Sequence, residues 1–318
     1  MKIQKISWLG VLCISSFAFA APGDRIPTRE NLGLVLDGAP AGYLKAYEGG
    51  GPRAEVVEVP PGPSETYPKK QIGRVAYDDL FMSFGLSSAS PMLQWIENTL
   101  NFKYSRKSGA ILGCDYNFNA VSQLQFERTS LTEIIFPAMD ATSGKSAGIF
   151  SVKLSPEFTR RSSASGKCAP VANEPQKNWM TQNFKLELPG LDTTKVSKIE
   201  SFTVKQIFLD GTPGEDRRPG REPGRLQFSN LKITLSESSA ESWYKWLDEF
   251  VVQGRSDDSN EKTGAIIMLS QNLAQELGRI NLYNVGILNI HRAVDSTADS
   301  IRKVTVELYV EHVSLNVK

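Results

Sequence analysis

The chain has 318 residues, of which 40% are hydrophobic and 22% charged, and its formal net charge is +1. That is length for about two ordinary globular domains, and the balanced charge lends no support to a nucleic-acid or anionic-membrane surface. The chain holds two histidines, thin material for a histidine-based zinc site or a catalytic triad.

The first twenty residues read as a Sec-type signal peptide. Lys2 and Lys5 precede an apolar run from Trp8 to Phe19, and Ala18-Phe19-Ala20 is an A-x-A cleavage site. The run is too short to span a bilayer comfortably. Leu12 stands before Cys13 where a lipoprotein would carry a small residue. The mature chain is therefore expected in the periplasm, on the cell surface or outside the cell, without a membrane span. Residues 21–41 are expected to be a loosely ordered lead-in.

A first β-rich unit is expected over 42–158. Arg53 to Val59 reads as a strand, and Pro60 to Lys70 as a loop rich in proline and charge. Ser90 can cap a helix with Pro91 at its first position. Met92, Trp95, Ile96 and Leu100 then form one apolar face. Residues 159–178, rich in Ser, Ala, Pro and charge, read as a linker. The second unit, 179–318, repeats the plan. Ile199 to Ile207 is a strand, and Leu209 to Gly224 is a Gly-, Pro- and Arg-rich loop with Asp210, Arg217, Arg218, Arg221 and Arg225 as candidate assembly contacts. Leu226 to Leu235 alternates but shifts phase near Asn230, as a bulge or bend would. Ser238 and Glu241 have the spacing of a capping box, ahead of Trp243, Trp246, Leu247 and Phe250 on one helix face. Val304 to Val317 is a long closing strand. The fold class is mainly β with one helix per unit, two tandem antiparallel β-barrels, with Trp95, Ile96, Trp246 and Leu247 as core anchors.

The two units align directly. VAYDDLFMSFGLSSASPMLQWIE lies on LQFSNLKITLSESSAESWYKWLD, so that Tyr77 meets Phe228, Leu80 meets Leu231, Trp95 meets Trp246 and Ile96 meets Leu247 at one constant offset. Signal cleavage removes Cys13 and leaves Cys114 and Cys168. In an exported chain these could pair, or remain two free thiols; the spacing leaves both readings open.

Catalytic motifs are missing. Gly144-Lys145-Ser146 resembles the end of a P-loop, but Met139 stands where the first glycine is required, and a strand follows instead of a helix. The acidic stretch from Asp257 to Glu261 lacks the ligand spacing and glycine of a calcium loop. His291 and His312 fall in expected strands and read as structural. No cofactor or metal is expected.

The stretches GYLKAYEGG, KKQIGRVAYDDLFMSFG, LQWIENTLNFKYSRKSGAI and TEIIFPAMDATSGKSAGIFSVKLSPEFTRR resemble the phage tail-tube-like family. FKLELPGLDTTKVSKIESFTVKQ and REPGRLQFSNLKITLSESSAESWYKWLDEFV are similar to the second half of its longer bacterial members. The family is similar in fold to contractile-phage tail tube proteins and the haemolysin-coregulated protein of type VI secretion. The resemblance implies a β-barrel flanked by a helix and assembly into rings through sheet edges and loops. It implies self-association, with three duplicated chains completing a pseudo-hexameric ring, and other tube or envelope proteins as further partners. It carries over no catalytic, cofactor or metal residue. The signal peptide departs from that pattern, because such tubes assemble in the cytoplasm. It leaves open whether the fold serves an injection machine or a different exported protein. An exported ring- or filament-forming structural protein ranks first. A two-site exported binding module ranks second, and an envelope hydrolase using carboxylates last.

Overall fold

The computed structural model describes residues 31–63, 67–86, 90–168, 179–213, 219–292 and 302–318. The signal-peptide reading lies outside the described residues. The chain is mainly β, with antiparallel sheets that include a near-closed barrel.

The first half contains β1 (Asn31–Leu36), β2 (Ala39–Leu44), β3 (Ala46–Gly49), β4 (Pro52–Val59), β5 (Lys69–Tyr77) and β6 (Leu80–Gly85). Helix α1 (Ser90–Leu100) follows, then β7 (Lys107–Cys114), β8 (Ala120–Phe136), β9 (Met139–Asp140), β10 (Ile149–Ser155) and β11 (Phe158–Ser163). The second half contains β12 (Phe184–Glu187), β13 (Val196–Ile199), β14 (Phe202–Pro213), β15 (Pro219–Phe228) and β16 (Leu231–Ser236). Helix α2 (Glu241–Leu247) continues as a π turn, Asp248–Val252, before β17 (Lys262–Leu269), β18 (Glu276–Arg292) and β19 (Lys303–Val317).

Six strands of each half follow one another in a ladder. The first runs β1-β7-β8-β10-β6-β3, and the second β12-β17-β18-β19-β16-β13. Period-two alternation explains why. Leu80, Met82 and Phe84 on β6 are buried on one face, as are Leu231, Ile233 and Leu235 on β16. Among the described residues a large hydrophobic cluster drawn from both halves fills the interior, and a smaller one surrounds Cys114, Ala120 and Cys168. Trp95, Ile96 and Leu100 enter the large one from α1, and Trp243, Trp246 and Phe250 from α2 and its π turn.

Several sequence expectations are corrected. The lead-in is strand from Asn31, because Leu34 and Leu36 supply a buried face that pairs with β2 and β7. Segment 159–178 begins as strand β11, which pairs with β8 and buries the Thr159 hydroxyl on the Gly50 carbonyl at 2.6 Å. Its polar composition hid a strand with little apolar side chain to bury. The phase shift near Asn230 is a change of sheet: β15 ends at Phe228, and β16 starts in the other sheet at Leu231. Ser238 does not cap α2. A 3-10 turn, Glu237–Ser239, leads into the helix through Ala240, which is already helical (φ −90°, ψ −5°). Ser238 thus sits inside the turn, and its hydroxyl contacts Ser236 at 2.9 Å.

Candidate assembly surfaces

Two antiparallel ribbons, β4–β5 and β14–β15, hold the segments expected as loops: Lys69 and Lys70 already belong to β5, and Leu209 to Gly224 is strand at both ends, in β14 to Pro213 and in β15 from Pro219. On the first ribbon nearly every residue is exposed on both faces. Val56, Val57, Ile72 (76% accessible) and Val75 all face water. A two-stranded ribbon with both faces wet is marginal by itself. On the second ribbon Asp210 pairs in register with Arg221, and Arg225 is exposed. Arg217 and Arg218 lie outside the described residues.

The two halves meet edge to edge. The base of β14 adds to β8, pairing Phe202 with Phe136, Val204 with Ile134 and Lys205 with Glu133. In return β9 adds to β13, pairing Met139 with Ile199 and Asp140 with Lys198. Phe136 and Phe202 stack at 4.5 Å, and Phe150 lies 5.9 Å from Phe136 and 6.1 Å from Trp179. Trp179 crosses over Gly148, where any Cβ would strike the indole ring. Its Nε1 donates to the Asn183 carbonyl at 2.9 Å. Lys205 approaches Glu133 at 4.0 Å.

Helix α1 also belongs to this junction, since it packs on β19 of the other half. Just past its end Phe102 stacks on His312 at 5.5 Å, and Tyr283 flanks the same imidazole at 5.2 Å. Burial holds His312 below the usual imidazole range. A cleft at the junction is lined by Thr99, Tyr104, Leu131, Gln206, Phe208 and Pro223, side chains from both halves. Burial raises the Tyr104 hydroxyl, which donates to the Gly224 carbonyl at 3.3 Å.

The expected core anchors Trp95 and Ile96 are fully buried, Trp246 is buried and Leu247 packs half-buried against the cluster. Trp95 Nε1 donates to the Ser105 carbonyl at 3.0 Å. Trp246 Nε1 is buried without an acceptor among the described residues. The Lys262 ammonium lies 5.1 Å over the Trp246 ring. Cys114 and Cys168 are joined in a disulfide with Cα atoms 6.2 Å apart. Of the motifs set aside, Gly144, Lys145 and Ser146 form an exposed turn, and Asp257 accepts from the Ser259 and Asn260 side chains in its own turn. Those donors hold its carboxyl below the usual range. Among the described residues no three His, Cys, Asp or Glu side chains converge as a metal cage would require, and no helix is long and apolar enough to cross a membrane. The junction pairings were invisible in the sequence.

No protein-family profile matches the chain, and no curated protein sequence matches it. Among solved structures the chain is similar to one in the anti-feeding prophage tube terminating cap, at 15% identity and a TM-score of 0.35, covering 47% of this chain and 95% of that one. It is similar to a chain of the sheath–tube complex of an extracellular contractile injection system, at 15% identity and a TM-score of 0.34, covering 46% and 95%. It is also similar to Hcp1 from Flavobacterium johnsoniae, at 10% identity and a TM-score of 0.27, covering 42% and 95%.

Proposed function

We propose that this chain is an exported, non-enzymatic structural protein that assembles with copies of itself into rings or tubes. Its two tandem copies of one β unit lie on either side of residues 169–178, and three chains would complete a pseudo-hexameric ring. The observation that carries this reading is the head-to-tail junction between the halves. A surface of the first half receives a different surface of the second, so the complementary pair remains at the two ends of the chain. Such heterologous contacts generate closed rings or open filaments. The apolar side chains of the β4–β5 ribbon support a further contact between assembled copies. The disulfide suits an oxidising compartment, in keeping with the signal sequence.

The test is the mass of the chain from residue 21 onward in solution, by light scattering with negative-stain imaging of the same sample. Trimers, rings or filaments are expected. A monomer at all concentrations would overturn the reading and favour an exported two-site binding module.

A further inference from the structure

The two halves repeat each other down to their irregularities. The β7–β8 ladder slips between Lys107 and Gly109, and the β17–β18 ladder between Lys262 and Gly264. Beside these slips Arg128 and Asn284 both take left-handed backbone, with φ of 46° and 53°, a conformation uncommon outside glycine. A second slip falls between Lys153 and Leu154 opposite β8, and between Ile287 and Asn289 on β18. Counting from these landmarks, Glu133, Ile134, Ile135 and Phe136 stand where Asn289, Ile290, His291 and Arg292 stand in the second half.

The partner side of the junction can be matched the same way. Tyr47 pairs with Met82 as Ile199 pairs with Ile233. Pro52 pairs with Tyr77 as Val204 pairs with Phe228. Both ribbons slip at the next step, between Ala54 and Val56 and between Gln206 and Phe208. Gly50 to Arg53 therefore stand where Phe202 to Lys205 stand.

Inside the chain this pair of surfaces is joined, and Ile134, Phe136, Phe202 and Val204 are buried. Among the described residues neither surface has a strand laid on it at the other end of the chain, although Gly50 is itself buried with its carbonyl on the Thr159 hydroxyl, so that Pro52 and Arg53 are the exposed part of the second surface. β18 beyond Val285 pairs with β19 alone, and Leu288, Asn289, His291 and Arg292 are exposed. Among the described residues the edge of β3 and the start of β4 carry no partner strand in the place that β9 and β8 fill for β13 and β14. The helices agree. α1 packs on β19, and the π turn that continues its counterpart α2 ends in Val251 and Val252, 49% and 74% accessible. Phe158, the counterpart of the covered His312, is 37% accessible.

We infer that a second copy of this chain docks residues 50–53, the entry to and first two residues of its β4, on the Asn289–Arg292 edge of β18, with Val251 and Val252 covering its β11. The inference rests on the assembly reading above and specifies its contact. Pro52 stands in the place of Val204 and has no N–H, so the docked strand offers one donor fewer than β14 does and the contact is weaker than the internal junction. The register sets Arg53 opposite Asn289, in the place of Lys205 opposite Glu133.

The experiment uses Arg53→Cys with Asn289→Cys in the chain from residue 21 onward, the native disulfide retained. Residues directly opposite in an antiparallel pair have Cα atoms about 4.5–5.5 Å apart, a spacing that admits a disulfide. Mild oxidation is expected to give a ladder of covalent dimers and larger species on a non-reducing gel, while neither single variant passes beyond dimer. A second variant, Val251→Arg with Val252→Arg, is expected to keep the thermal melt and to shift assembly to about tenfold higher protein concentration, the effect of losing an interface anchor. Assembled particles with no ladder, and with assembly unmoved by the two arginines, would overturn this contact and leave the assembly reading standing. A protein that stays monomeric and gives no ladder would overturn both.

Discussion

Trp95 and Trp246 occupy matching places in the two halves but differ at one atom. The indole N–H of Trp95 has the Ser105 carbonyl; that of Trp246 is buried without an acceptor. Truncation of either to Ala should cost about 3–5 kcal/mol, because each leaves a cavity in a filled core. Replacement by Phe separates them. Trp95→Phe strands a carbonyl and should cost about 1 kcal/mol more than Trp246→Phe, which deletes an unpaired polar group; urea midpoints of the two variants check this. His312 supplies a pH dependence. Burial lowers its proton affinity in the folded state, so the folded protein binds fewer protons than the unfolded chain. The stability it confers is complete above the unfolded value of about 6.5 and is lost as pH falls through that value toward the folded one. The first half carries Phe158 at this position, so His312→Phe should flatten the loss between neutral and mildly acidic pH, read as denaturation midpoints across that range.

Among the elements, the apolar faces of the helices and the closing strand β19 were legible, because each buries a face whose period is written in its own residues. The ribbons and β11 were not. Their side chains are largely exposed, so their pairing is fixed by backbone hydrogen bonds and by the strands beside them, which leave no periodic apolar pattern. The failed capping box has the same origin: the spacing of Ser238 and Glu241 is right, but the 3-10 turn set by the chain leaving β16 places the hydroxyl past the helix start. The disulfide ties the end of β7 to the segment after β11 and closes a loop across a sequence separation of 54 residues. Loop-closure entropy for that length puts its contribution at about 4 kcal/mol. Cys114→Ser with Cys168→Ser should lower stability by about 2–4 kcal/mol, seen as a fall in the denaturation midpoint that added reductant does not deepen.

In the whole molecule, the way the halves join was not legible in the sequence, because strand addition across a junction depends on edges that come together only after both halves fold. Since β14 is a strand of the first half's sheet and β9 of the second's, the halves share their stability. A protease site placed within 169–178 should, once cut, leave two fragments that migrate together on size exclusion and separate only in denaturant. Independent migration of the fragments would contradict the shared core.

The β14–β8 pairing has one more consequence. A contact held within a single chain sees an effective concentration set by its tether and not by how much protein is present. Dilution can therefore never open that seam. In an assembly joined through the contact inferred above, the joints would alternate, one permanent and aromatic, the next reversible and more polar. Every breakage and every repair would fall at the second kind.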